Sequence, residues 1–303
     1  MPDLVDLYPG YASRWIDTSA GEIFARVGDG GGPPLLLLHG HPQSNVMWHR
    51  VAPLLAPHFI LVIVDLPGYG WSAAPPAQPD HAPYTKHATA IAMIQVMETL
   101  GFDRFRLAGH DRGARVGYRL ALDHPGRLDQ LAVLDIVTTS DMWRRMDARL
   151  AARAWHWLFL SLPEPFPETL IGHDPKFFFD YRAAAGAKAK EVLIFDPAAL
   201  AHYHAAYEDP LRIHAMCEDY RAGRTTDLAH DEADRAAGKT IGCPVLAPWG
   251  SSGLPANAGL DTLACWRDWA PDLRGLSIES GHYLAEENPA ATAQALLEFF
   301  GAG

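Results

Sequence analysis

A series of short apolar runs, each ending in a polar or glycine-bearing turn, limits what this chain can fold into more than any other feature. Leu35-Leu36-Leu37-Leu38 runs into His39-Gly40, and Ile60-Leu61-Val62-Ile63-Val64 into Asp65. Phe105-Arg106-Leu107-Ala108 runs into Gly109-His110-Asp111, and Leu131-Ala132-Val133-Leu134 into Asp135. Pro244-Val245-Leu246-Ala247 runs into Trp249-Gly250, and Leu276-Ser277-Ile278 leads to Gly281-His282. Continuous apolar runs of this length read as strands buried on both faces of a parallel sheet. Segments of helical length and spacing separate them, among them Tyr84 to Leu100, Arg112 to Asp123 and Pro289 to Phe300. The alternation implies a doubly wound, mostly parallel α/β sheet. Ligands of such sheets bind beyond the carboxyl ends of the strands, where these polar turns fall.

The alternation stops between about Thr138 and Arg224, a stretch rich in Trp, Tyr, Phe, Ala and Pro. It reads as a helical cap inserted over the sheet. The expected division is a core of residues 1–137 and 225–303 with a cap of residues 138–224. Asp227 to Lys239 is a polar helix or loop returning to the core.

Gly109-His110-Asp111-Arg112-Gly113 has the form of a nucleophile elbow, a tight strand-to-helix turn, with aspartate in the reactive place. Small neighbours are needed there because the backbone crowds itself. The helix opening at Arg112 favours an ionised carboxylate. The plainer reading of Asp111 is an N-cap, and its context favours the nucleophile. His282 follows the last apolar run, where such folds place a base after nucleophile and acid. The turn at Trp249-Gly250-Ser251-Ser252-Gly253 has no carboxylate. Asp135 is therefore assigned as the acid that orients His282. The turn His39-Gly40-His41-Pro42 suits an oxyanion hole, with the backbone amides of His41 and Arg112 as donors. Asp65 to Ser72 is a structural turn without chemistry.

Arg112 and Arg115, three apart on the elbow helix, share a face near Asp111. Their forks suit a carboxylate, so the molecule attacked is expected to be an anion. The alternatives are a solvated face or a salt bridge into the cap. The formal net charge is -11, which argues against nucleic acid as partner. It also means that an anionic substrate must be captured locally, against the overall field. The cysteines Cys217, Cys243 and Cys265 show no metal or redox spacing. No signal peptide or membrane-length apolar run is seen, so a cytoplasmic protein without metal or membrane partner is expected.

The elbow Gly109 to Arg115, His39-Gly40-x-Pro42, Leu134-Asp135-Ile136, Trp155-His156-Trp157, Cys217 to Gly223 and Ser280-Gly281-His282 together resemble the fluoroacetate (haloacetate) dehalogenases of the α/β-hydrolase superfamily. The resemblance runs essentially end to end. It implies an α/β-hydrolase fold, displacement of halide from a small halo acid by Asp111, and Arg112 and Arg115 on the substrate carboxylate. It further implies a halide pocket of His156, Trp157 and Tyr220, no cofactor and a homodimer. Aromatic packing inside the cap is the plain reading of Trp155-His156-Trp157. The chain departs from the expected pattern at His41, where phenylalanine is usual. One rival is an epoxide hydrolase with the same triad, for which Tyr203, Tyr207 and Tyr220 are candidate donors. A remoter rival is a non-catalytic binding protein on the same fold.

Overall fold

The computed structural model describes residues 4–301. Its sheet has eight strands: β1 Ala12–Thr18, β2 Gly21–Val27, β3 Pro34–Leu38, β4 Ile60–Val64, β5 Phe105–His110, β6 Leu128–Leu134, β7 Val245–Gly250 and β8 Leu273–Ile278. Their order is β1-β2-β4-β3-β5-β6-β7-β8. From β4 to β8 all neighbours are parallel, while β1/β2 and β2/β4 are antiparallel. The central strands β3, β4, β5 and β6 are the apolar runs read above, almost wholly buried because helices cover both faces. The hairpin β1–β2 lies outside that alternation. Its strands are half exposed, and Trp15 is 46% accessible, so no continuous apolar run marks them.

Between β6 and β7 the chain is helical, from Thr139–Arg144 to Thr226–Ala236. Several of these helices open on a capping aspartate whose side chain accepts a backbone N–H, as at Asp147, Asp174, Asp196 and Asp209. They carry aromatic residues inward: Trp157, Phe179, Tyr203, Tyr207 and Tyr220 are buried. The turns after β3, β4, β5 and β6 lie at one sheet edge. A cavity of about 220 Å³ opens beside that edge, lined by Asp111 and His282 from one side and His156, Trp157 and Arg182 from the other. No helix of the described residues is long and apolar enough to cross a membrane.

Candidate active site

Crowding at the turn after β5 explains its two glycines. A Cβ on Gly109 would fall 2.5 Å from the backbone of Gly113, and one on Gly113 would fall 2.5 Å from the carbonyl of His39. Asp111 between them has φ 45° and ψ −110°, a costly conformation for a residue with a side chain. It opens the helix Arg112–Asp123, yet its side chain makes no capping hydrogen bond. The carboxylate is thrown forward into the cavity, where its Oδ2 accepts the His41 N–H at 3.1 Å. The Arg112 amide makes no hydrogen bond to that carboxylate among the described residues. Burial alone would raise the Asp111 carboxyl. His282, charged at the low pH where this carboxyl titrates, together with Arg115 and Arg112 outweighs burial and holds the group below the ordinary carboxylate range.

The turns after β6 and β8 bring the other two groups together. Asp135 has φ 54° and is buried. It accepts N–H groups from Gly250 at 2.9 Å and Leu254 at 3.3 Å, and the Nδ1–H of His282 at 2.6 Å. With Nδ1 donating, the lone pair of His282 lies on Nε2, a buried atom with no protein partner. Burial keeps the imidazole down to about 4, with Arg182 assisting and Asp111 opposing. It is therefore neutral, and ready to take a proton, at ordinary pH. Two contacts hold this loop. The His282 N–H donates to the carbonyl of Gly186 at 2.9 Å, and His110 Nε2–H donates to the His282 carbonyl at 2.8 Å.

Arg112 and Arg115 of the elbow helix are buried, and they are held differently. Arg112 Nε donates to Asp219 Oδ2 at 2.6 Å and Nη2 to the Asp219 carbonyl at 2.8 Å. Only Nη1 has no partner, and the guanidinium stacks on Tyr220, 4.3 Å from the ring centroid. Arg115 gives Nη1 to the Val137 carbonyl and Thr139 Oγ1, both at 3.1 Å, and its Nε has no partner. Its guanidinium lies 4.5 Å from the Trp157 ring centroid. The salt bridge into the cap and a free donor for a ligand thus coexist in Arg112. Asp219 also accepts from Tyr69 OH at 3.0 Å and from Lys86. These cations hold its carboxyl down at about 2 against the upward push of burial.

The cap supplies His156 and Trp157 from the helix Trp155–Leu160, and Tyr220 from Pro210–Arg224. Tyr220 lies 5.8 Å from His156 and 6.0 Å from Trp157 between ring centroids, and its hydroxyl has no partner. His41 faces the same group, 5.3 Å from Tyr220 and 6.3 Å from His156, with both ring nitrogens unpartnered. Tyr203 is engaged by Glu286, whereas the Tyr207 hydroxyl is buried without a partner. Asp65 is spent on its own turn, accepting the N–H groups of Asn45 at 2.7 Å and Trp71 at 2.9 Å.

The chain matches the alpha/beta hydrolase fold family over residues 33–289. It is 43% identical to a fluoroacetate dehalogenase from Burkholderia sp, across 97% of this chain and 95% of that protein. The chain belongs to the fluoroacetate dehalogenase family of alpha/beta hydrolases. A soluble epoxide hydrolase from Corynebacterium sp. (strain C12) is a more distant relative, 28% identical over 89% of this chain and 91% of that one. Among solved structures, an alpha/beta hydrolase from Nostoc sp PCC 7120 superposes with a TM-score of 0.92 and 44% identity. That match covers 97% of this chain and 99% of the Nostoc chain. Arg182, Asp219 and His110 are the residues that the motifs did not single out, and each lies within this site.

Proposed function

We propose that this family member is a cofactor-free hydrolytic dehalogenase converting haloacetates, fluoroacetate foremost, to glycolate and halide. The observation that carries the reading is the ionised Asp111 flanked by two buried arginines, each keeping a buried nitrogen without a protein partner: Nη1 of Arg112 and Nε of Arg115. A neutral substrate would leave those donors without an acceptor. A carboxylate placed there sets its α-carbon before Asp111.

Asp111 attacks that carbon from behind. A C–O bond forms, the C–halogen bond breaks, and its electron pair leaves with the halide towards Trp157, Tyr220 and His156. The aspartyl ester is then hydrolysed. His282 Nε2 takes a proton from water, and the hydroxide adds to the ester carbonyl. The oxyanion is received by the amides of His41 and Arg112; on collapse His282 gives its proton to the departing alkoxide, freeing glycolate, and the Asp111 carboxyl then loses its proton to solvent. Asp135 orients His282 and stabilises its charged form.

Halide release from fluoroacetate, chloroacetate and 2-fluoropropionate tests the reading. Release from at least one, with oxygen from labelled water entering Asp111 in a single turnover, is expected. Release from none overturns it. The unpartnered hydroxyls of Tyr207 and Tyr220 favour one second reading, an epoxide hydrolase in which they donate to the epoxide oxygen. Turnover of an aliphatic epoxide without halide release would select it. The sequence resemblance implies a homodimer, and light scattering on the purified chain reads the oligomeric state.

A further inference from the structure

Arg182, on the helix Pro175–Gly186, is a buried cation with no carboxylate in direct contact; its nearest favourable charge is the ionised Asp111 across the cavity. It is 5% accessible and lines the cavity with Asp111 and His282. Among the described residues it makes no ion pair. Its Nη2 lies 3.2 Å from His156 Nε2, its Nη1 donates to Tyr283 OH at 3.4 Å, and its Nε has no partner. Burying a charge without an ion pair is expensive, so a fold that keeps one at its cavity, facing Asp111, has a use for it.

The contact with His156 has a definite direction. A guanidinium has donors and no acceptor, so His156 Nε2 must be the accepting nitrogen. A neutral imidazole carries one proton, which then sits on Nδ1. Burial first and Arg182 second keep this imidazole neutral, well below its ordinary pKa. Nδ1 is buried and has no partner in the protein. His156 is thereby left with one N–H whose acceptor must come from a ligand.

We propose that Arg182 is a positioning residue that fixes His156 as its Nδ1–H tautomer and polarises that N–H towards the departing halide. This rests on the dehalogenase reading for its consequence, though not for the tautomer itself. Without Arg182 the proton is free to sit on Nε2, and the donor is lost for part of the population. Fluoride is the halide that depends most on hydrogen bonds as it leaves, so it loses most. The charge of Arg182 also acts through His156 along one hydrogen-bonded chain, where neighbouring bonds strengthen one another.

The test compares Arg182→Met, which removes the donor at similar length, with Arg182→Lys, which restores a cationic donor. For Arg182→Met, kcat on fluoroacetate is expected to fall about tenfold or more, the scale of losing one preorganised donor. On chloroacetate it falls by less, and KM changes little on either. Arg182→Lys recovers part of the loss. Nitrogen-15 NMR of histidine-labelled wild type, assigned with His156→Gln, is expected to show the Nδ1–H form at His156. Three outcomes overturn the proposal: an Nε2–H tautomer in wild type, equal losses for the two halides, or a raised KM with unchanged kcat. The last would make Arg182 a substrate-carboxylate ligand. Wild type inert on every halo acid would sink the dehalogenase reading, and the NMR measurement would still decide the tautomer.

Discussion

The floor and the wall of the cavity treat their polar groups in opposite ways. On the floor, formed by turns at the sheet edge, polar groups satisfy one another. Asp135 accepts three N–H groups. His39 spends both ring nitrogens, on the Gly40 carbonyl and the Leu66 N–H. Few atoms are left over: His282 Nε2, which would react, together with His110 Nδ1 and Gln43 Oε1. On the wall, formed by the helices between β6 and β7, hydroxyls and ring nitrogens stand unpartnered: Tyr207, Tyr220 and His156 Nδ1, with His41 facing them from its turn. Buried polar groups are normally paired. A floor so paired is preorganised for one chemistry, while the unpaired wall awaits acceptors from a ligand. Floor substitutions should therefore decide whether turnover occurs, and wall substitutions should decide what is turned over.

The sharpest way to break this division is Asp111→Asn. It should lower steady-state halide release by at least about 10⁴-fold, as removal of a covalent nucleophile does. A halide assay that found substantial residual turnover would place the chemistry elsewhere. His282→Asn should release one halide per site and stop, with the ester detectable by mass spectrometry on the peptide carrying Asp111. Steady turnover by this variant would remove His282 from the floor. In the wild type, burial holds the His282 imidazole down to about 4. It stays a neutral base as pH falls below 6, so the acid limb of kcat/KM should lie nearer pH 4 than 6.5.

Next in size are the arginines between floor and wall. Arg115→Leu should raise KM for haloacetates roughly tenfold to a hundredfold, the scale of one lost charge-assisted contact. Its folding should survive, because Arg115 is bonded only to a carbonyl and a hydroxyl. Arg112→Leu should show the same rise in KM together with lost stability, since buried Asp219 would keep Lys86 as its one cationic partner beside the Tyr69 hydroxyl. Urea titrations of both variants separate the two effects.

A smaller, pH-dependent effect belongs to Asp219. Its folded-state carboxyl lies at about 2, below the unfolded value. Its contribution is therefore present above about pH 4 and lost as pH falls towards 2. Wild type should lose on the order of 2 kcal/mol across that window from this group, and Asp219→Asn should flatten the dependence. Unchanged acid unfolding in the variant would show that the network contributes nothing. Smallest of all is His41→Phe, which keeps the backbone amide and removes only the ring nitrogens. A change of a few-fold in the fluoride-to-chloride ratio is expected from competition assays, with the triad chemistry intact. Loss of all activity would move His41 from wall to floor.

Most of the floor was legible because the apolar runs and their turns are local in sequence. Strand β4 coincides with its run, and the elbow helix with its reading at Arg112–Asp123. The hairpin β1–β2 was not legible. It lies at the sheet margin with one face towards solvent, so its apolar residues are too sparse to form a run. The wall was legible only through resemblance. Arg182 is one arginine in an alanine-rich helix, and nothing within Tyr181-Arg182-Ala183 marks it. Its position beside His156, 26 residues away, exists only after the helices pack. Asp219 lies in a stretch with family resemblance, but its partner Arg112 is 107 residues distant. His110 had a signal that went unused, since a residue adjacent to the nucleophile must pack against the loop carrying the base.

The bridge from Arg112 to Asp219 has an evolutionary side. One guanidinium ties the helices above to the sheet below and keeps Nη1 without a protein partner. Architecture and recognition therefore form a single mutational target. A lineage drifting towards neutral substrates could not simply discard the arginine, because its aspartate would be stranded in the interior. It would have to lose both together, so the pair resists change even where substrate preference drifts.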